Sequence, residues 1–161
     1  MGFLKAEAVG PVVSALELHA SYVSEDDLFT ADRKDFTPSP FGLNIDWALL
    51  LDFDANGYLS AAEVFGRRAS FVTKNIPLPS STPPAAVRLA RVPETSATEE
   101  FDCPVTVYAS PNGFVAQAIV PDLMPGAVWF SLGKTFLVAL NEGRIASVLF
   151  ADTRGVESLQ N

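Results

Sequence analysis

A chain of 161 residues with 48% apolar and 19% charged side chains can bury a core of its own, and it is too apolar for wholesale disorder, a collagen or a coiled coil. Nineteen acids against eleven bases, a net charge of -8, exclude nucleic acid as the expected partner, because phosphates are held by clustered excess Lys and Arg. A single cysteine, Cys103, and a single histidine, His19, exclude an internal disulfide, a thiolate metal cluster and any mechanism that needs two imidazoles.

In chain order, the first twenty residues do not read as a secretory signal, since Lys5, Glu7 and Glu17 break the apolar run, and Ala6 stands where myristoylation wants Ser or Thr. No later stretch approaches the roughly 18 apolar residues of a membrane span, so no membrane insertion is expected. From Val12 to Val23, Leu16, Leu18, Ala20 and Tyr22 alternate with Glu17, His19 and Ser21. That period of two predicts a half-buried strand with His19 on its polar face. Residues 24–41 are acidic and then proline-containing, and they read as a loop in which Glu25, Asp26 and Asp27 are either solvated acids or a cluster that helps hold a cation.

Residues 44–53 alternate again, with Ile45, Trp47, Leu49, Leu51 and Phe53 on one side. They lead into D-F-D-A-N-G-Y-L-S-A-A-E at 52–63, the motif in the chain that carries chemistry. It resembles the calcium loop of the EF-hand family. Asp52, Asp54 and Asn56 match the side-chain ligands of that loop, and Gly57 matches its sharp turn. Tyr58 matches the backbone-carbonyl ligand, Ser60 the position that often acts through water, and Glu63 the closing bidentate carboxylate. The resemblance implies Ca2+ held by Asp52, Asp54, Asn56, Tyr58, Ser60 and Glu63. It covers 12 of 161 residues. The flanks depart from the family: Asn44 stands where an apolar residue is usual, Gly66, Arg67 and Arg68 interrupt the following face, and no second loop exists in the sequence. Two readings without metal compete with it. Asn56-Gly57 is a strong hairpin signal, and Ser60 with Glu63 forms a capping box.

Charge divides the chain. Residues 1–66 carry eleven acids and three bases, whereas 67–161 carry eight of each. Arg67, Arg68, Lys74, Arg88 and Arg91 follow one another with no acid between them, which reads either as a solvated loop or as a polar joint to an acidic neighbour. Residues 76–93 hold five of the twelve prolines. Proline fixes φ and removes a donor, so an extended connector on a surface is expected there, neither helix nor central strand. It separates possible lobes 1–75 and 94–161 of what we read as one domain, 1–161. The second lobe reads as consecutive strands over 105–108, 114–120, 127–132, 135–140 and 144–150. Turns at Ser110-Pro111-Asn112-Gly113, Gly133-Lys134 and Asn141-Glu142-Gly143 punctuate them. The nearly all-apolar runs 136–140 and 145–150 predict strands covered on both faces.

The expected fold is therefore mainly β, an antiparallel sandwich or barrel-like meander with one or two short helices. Catalytic sets are missing from the sequence. There is no P-loop, no dinucleotide fingerprint and no nucleophile elbow. Cys103 with His19 is the only thiol–imidazole couple, and acid pairs such as Glu99-Glu100 are not placed by sequence across a cleft. Low charge and apolar strands point to a non-enzymatic structural subunit that meets other protein subunits, as homo- or hetero-oligomer. Capsid, decoration or tail components of a virion have this general character, and the virion would then be its location. The alternative is a calcium-dependent binding module using residues 52–63.

Overall fold

The fold was taken from a computed structural model, which describes residues 5–23, 28–65 and 72–154. It is a β-sandwich. One six-stranded sheet has the order β2-β3-β6-β5-β4-β9, from β2 (His19–Val23), β3 (Leu28–Asp32), β4 (Phe41–Ile45), β5 (Leu49–Phe53), β6 (Leu59–Val64) and β9 (Ala97–Phe101). The other has the order β12-β13-β14-β11-β10-β7, from β7 (Val72–Thr73), β10 (Thr106–Ala109), β11 (Ala116–Ile119), β12 (Val128–Ser131), β13 (Phe136–Asn141) and β14 (Arg144–Phe150). A two-stranded ribbon joins β1 (Ala6–Val9) to β8 (Ala86–Leu89). The helical pieces among the described residues are short 3-10 turns at Ser14–Leu16 and Pro121–Leu123, and no described helix is long and apolar enough to cross a membrane.

Alternation builds the core. Phe29 and Ala31 of β3, Leu43 and Ile45 of β4, Leu49, Leu51 and Phe53 of β5, and Ala62 and Val64 of β6 are all buried in one cluster with Phe136, Val138, Val148 and Phe150 of the facing sheet. Phe150 touches both layers, with its ring 5.3 Å from that of Phe136 and 6.1 Å from that of Phe29. Along the sandwich edge the sheets are joined by hydrogen bonds. The Leu18 N–H donates to the Leu132 carbonyl and the Ala20 N–H donates to Thr135 Oγ1, each at 2.9 Å. Gly133 sits so near this seam that a Cβ would lie 2.6 Å from the Leu18 carbonyl oxygen, a distance only glycine tolerates.

Neighbouring strands pair antiparallel except at two places. β9 runs parallel to β4, and β7 runs parallel to β10. Through these pairings each half of the chain lends an edge strand to the sheet built mostly by the other half.

The strands expected over 105–150 are present: β14 has the expected bounds, β10 and β13 are shifted by one residue, β11 and β12 are shorter, and the turns stand at the expected residues. β13 is buried throughout except at its last residue and β14 except at its first. Three expectations for the first half need correction. The strand expected over 12–23 begins only at His19, because Ser14–Leu16 turns as a 3-10 segment. The loop expected over 24–41 contains β3, whose Phe29 and Ala31 enter the core; residues 24–27, with the three acids, lie outside the described residues. The alternation of 45–53 spans two strands, β4 and β5, which turn at 46–48 where Asp46 (φ +55°) and Trp47 (φ +54°) are left-handed. The connector 76–93 is extended as expected, but its residues 86–89 form β8.

Candidate functional site

The motif at 52–63 folds as a hairpin, with β5 and β6 as its arms. Asp54 builds the tip. Its N–H donates to the Tyr58 carbonyl (2.8 Å), and its own carbonyl accepts the Gly57 N–H (2.9 Å). Its Oδ1 accepts the N–H groups of Asn56 and Tyr58, both at 2.9 Å. Its Oδ2 meets the Arg33 guanidinium at 2.9 Å, in an ion pair whose side chains are only 7% and 10% exposed. Gly57 takes φ +86° and leaves no room for a Cβ, which would stand 2.9 Å from Val92. From outside, the Arg88 guanidinium lies 5.4 Å from the centre of the Tyr58 ring, and its Nε donates to the Asn56 carbonyl (3.1 Å). The basic stretch thus reaches the acidic half within one chain at Arg88. Arg67 and Arg68 lie outside the described residues.

This geometry separates the six residues matched to calcium ligands. Asp54, Asn56 and Tyr58 sit at the tip, where both Asp54 oxygens and the Tyr58 carbonyl already hold the turn together. Asp52, Ser60 and Glu63 sit further down and line a pocket of about 410 Å³ with Asp32, Arg33, Asp35 and Phe36. Ser60 is the extra residue of a bulge, since Asp52 pairs with Ala61 and Phe53 with Leu59. Its hydroxyl donates to the Asp52 carbonyl (3.1 Å) and lies 2.6 Å from the Ser39 hydroxyl.

Register explains why acids from distant positions meet here. Across the sheet the partners run His19–Asp32, Asp32–Ala61, Ala61–Asp52 and Asp52–Gly42, so Asp32 and Asp52 share the outer face with Glu63 two residues from Ala61. Burial raises the Asp52 carboxyl above its ordinary pKa, and the Asp32 carboxylate adds to the rise. Burial also raises Glu63, with Asp52 and then Asp32 adding. Among the described residues, no three His, Cys, Asp or Glu side chains are grouped closely enough to hold a metal ion. Sequence reasoning missed Asp32, Arg33, Asp35 and Phe36 because they fell in the segment read as a loop. The usable signal was the short alternation of 28–32.

The other candidates are dispersed. His19 is on β2 and Cys103 follows β9, at opposite edges of one sheet, about 24 Å apart at the usual strand spacing. The Cys103 thiol is raised by burial, and the Asp122 and Asp46 carboxylates raise it further, so it is held in the less nucleophilic form. Glu99 and Glu100 point to opposite faces of β9, the first half-buried and the second exposed. No protein-family model matches the chain, and no curated protein matches it.

Proposed function

We propose that the chain is a non-enzymatic structural subunit of a larger protein assembly, with a virion capsid, decoration or tail component as the class that suits it. One observation carries the reading. The sandwich has a closed apolar core, yet Phe36 (92%), Trp47 (68%), Leu78 (58%) and Val128 (54%) stand exposed. Large apolar side chains held out around a complete core are covered in an assembly at little further cost in ordering. The test is the mass of the protein in solution by light scattering across micromolar concentrations. Concentration-dependent oligomers are expected. A monodisperse monomer that binds no apolar-surface dye would remove the proposal.

A second reading, a calcium-dependent binding module, is favoured by one observation, the shared pocket of Asp32, Asp52 and Glu63 with its raised carboxyl groups. A cation there would favour the charged forms that burial and, to a lesser degree, mutual repulsion disfavour, and it would have to draw together three carboxylates that the fold leaves ungrouped. It predicts that calcium at a hundredfold excess over its dissociation constant stabilises the wild type by about 2.7 kcal/mol, and that Glu63→Gln loses this gain. A melting temperature indifferent to calcium and to chelator removes the reading.

A further inference from the structure

Trp47 is the most unusual residue of the fold. It stands at the tip of the β4–β5 hairpin in a left-handed conformation (φ +54°) that follows another left-handed residue, Asp46. A bulky side chain there costs free energy that glycine would not. The tip is nevertheless firmly built. Asn44 Oδ1 accepts the Trp47 N–H (3.0 Å), the Ala48 N–H donates to the Ile45 carbonyl (3.0 Å), and the Asp46 N–H donates to the Phe101 carbonyl (2.7 Å). The Phe65 N–H donates to the Ala48 carbonyl (2.9 Å) and ties the tip to the end of β6. A rigid turn thus presents a tryptophan and a carboxylate together to solvent.

The chain also carries a receptor of matching chemistry. On the outer face of the β12–β13–β14 sheet, a groove of about 640 Å³ runs between the proline-rich connector and the edge strand β12. Its apolar walls include Leu78, Pro79, Met124, Val128 and Trp129, and its cation is Lys74. The Lys74 ammonium lies 4.0 Å from the centre of the Tyr108 ring. The ion pairs among the described residues are Arg33–Asp54 and Arg154–Asp152, which leaves both Lys74 and Asp46 without a carboxylate or cationic partner there. One site offers an aromatic beside an exposed acid, and the other offers an apolar groove beside an exposed base.

We propose that the Asp46–Trp47 tip of one copy seats in the connector groove of a second copy, with the indole against Trp129 and Val128 and Asp46 facing Lys74. This deepens the assembly reading and rests on it. The occupant is a second copy because the complementary charges and the complementary shapes occur on one chain. Tip and groove are different patches, so the contact is head-to-tail and builds a ring or a filament, not a two-fold dimer. Phe36 is more exposed, but it rims the acidic pocket on the 33–40 segment and no comparable turn fixes it.

The test is sedimentation of wild type, Trp47→Ala, Lys74→Asp and Phe36→Ala over a range of concentrations, with melting temperatures as folding controls. Wild type and Phe36→Ala are expected to assemble alike. Trp47→Ala and Lys74→Asp, both at exposed positions, are expected to melt no lower than wild type, with Trp47→Ala at least about thirtyfold weaker in association. An equal mixture of those two variants should form dimers and nothing larger, since one supplies an intact groove and the other an intact tip. Wild-type assembly that survives Trp47→Ala unchanged, or a mixture that stays monomeric, overturns the docking while leaving the assembly reading in place. A wild type that is monomeric throughout overturns both.

Discussion

The two sheets face one another with equally apolar inner surfaces and treat their outer surfaces in opposite ways. On the sheet led by β13 and β14, the outward residues Leu137, Ala139, Ser147 and Leu149 are buried. The polar member is satisfied, since Ser147 accepts from Gln117 Nε2 (3.2 Å) and donates to the Ala118 carbonyl (2.8 Å). The connector runs along this side, with Gln117 and Trp129 lining the groove between them. The corresponding face of the other sheet carries Asp32, Asp52 and Glu63, with raised pKa values at the last two. A covered outer face admits leucine, whereas a face left to a short loop of 33–40 keeps charges that folding does not favour. A proline-rich segment with few donors thus acts as a third layer, and among the described residues such a layer lies on one sheet.

Four experiments probe this contrast. The largest effect is expected at the hairpin tip. Asp54→Ala would strand the buried Arg33, whose Nε already lacks a partner, and would free two backbone N–H groups. A loss of about 3 kcal/mol in chemical unfolding is expected. A loss below about 1 kcal/mol would show the pair to be solvated and marginal.

Next comes the contrast between outer faces. Leu149→Ala, fully buried, should cost about 2–3 kcal/mol, as a core truncation does. Leu50→Ala, on the outward side of β5 and only half-buried, should cost about 1 kcal/mol or less by its smaller loss of buried area. Equal losses at the two positions would mean that the acidic sheet is covered as well as its partner.

Smaller, and opposite in sign, is Trp47→Gly. It releases a strained left-handed residue and should stabilise the fold by about 1 kcal/mol, read as a rise of about 2–4 °C in melting temperature. A fall would mean that the indole packs against the fold and stabilises it.

The smallest effect is in pH. Asp52 and Glu63 have folded pKa values above their unfolded ones, so the native state holds more protons across the window between the two. Their contribution to stability therefore improves as pH falls from 7 through the raised values, and the improvement is complete below the unfolded values near 3.8 and 4.5. Asp152, lowered by its hydrogen bond to Arg154, has the opposite sign but lies at the surface and contributes little. Both acids of the pocket are about half-exposed, so solvent screening limits the gain to less than about 1 kcal/mol. Melting temperatures between pH 7 and pH 4.5 should show it in wild type and not in an Asp52→Asn, Glu63→Gln double variant. Parallel curves for the two proteins would refute the account of the acidic face.

How much of this was legible follows from where turns are spelled out. In 105–150 every reversal carries Gly or Asn-Gly, so each strand could be placed to within a residue or two of its bounds. The Asn56-Gly57 reversal was legible in the same way, as one of the competing readings. The 46–48 reversal contains neither Gly nor Pro. Its odd length also preserves parity, so Ile45, Trp47 and Leu49 continue one alternation through a turn, and nothing local marks the tip. β3 is five residues long, set among acids that outweigh Phe29 and Ala31. Of the candidate site, Asp52, Ser60 and Glu63 were found through a motif whose helical setting does not occur here. Asp32 was missed because it reaches the pocket through cross-strand register, a long-range property that no local pattern carries.

The exchanged edge strands bear on how the chain folds during synthesis. β4 emerges with its edge open, and the strand that closes it, β9, lies 56 positions further on by the register Phe41–Ala97. At about 5–20 residues per second that edge waits several seconds on the ribosome before its partner is made. Closure then requires non-local pairing, the slowest kind of event in small-domain folding. Gly42 and the buried Asn44 interrupt what would otherwise be a sticky apolar edge, and a variant such as Asn44→Val would be expected to aggregate during expression even where the finished protein is stable.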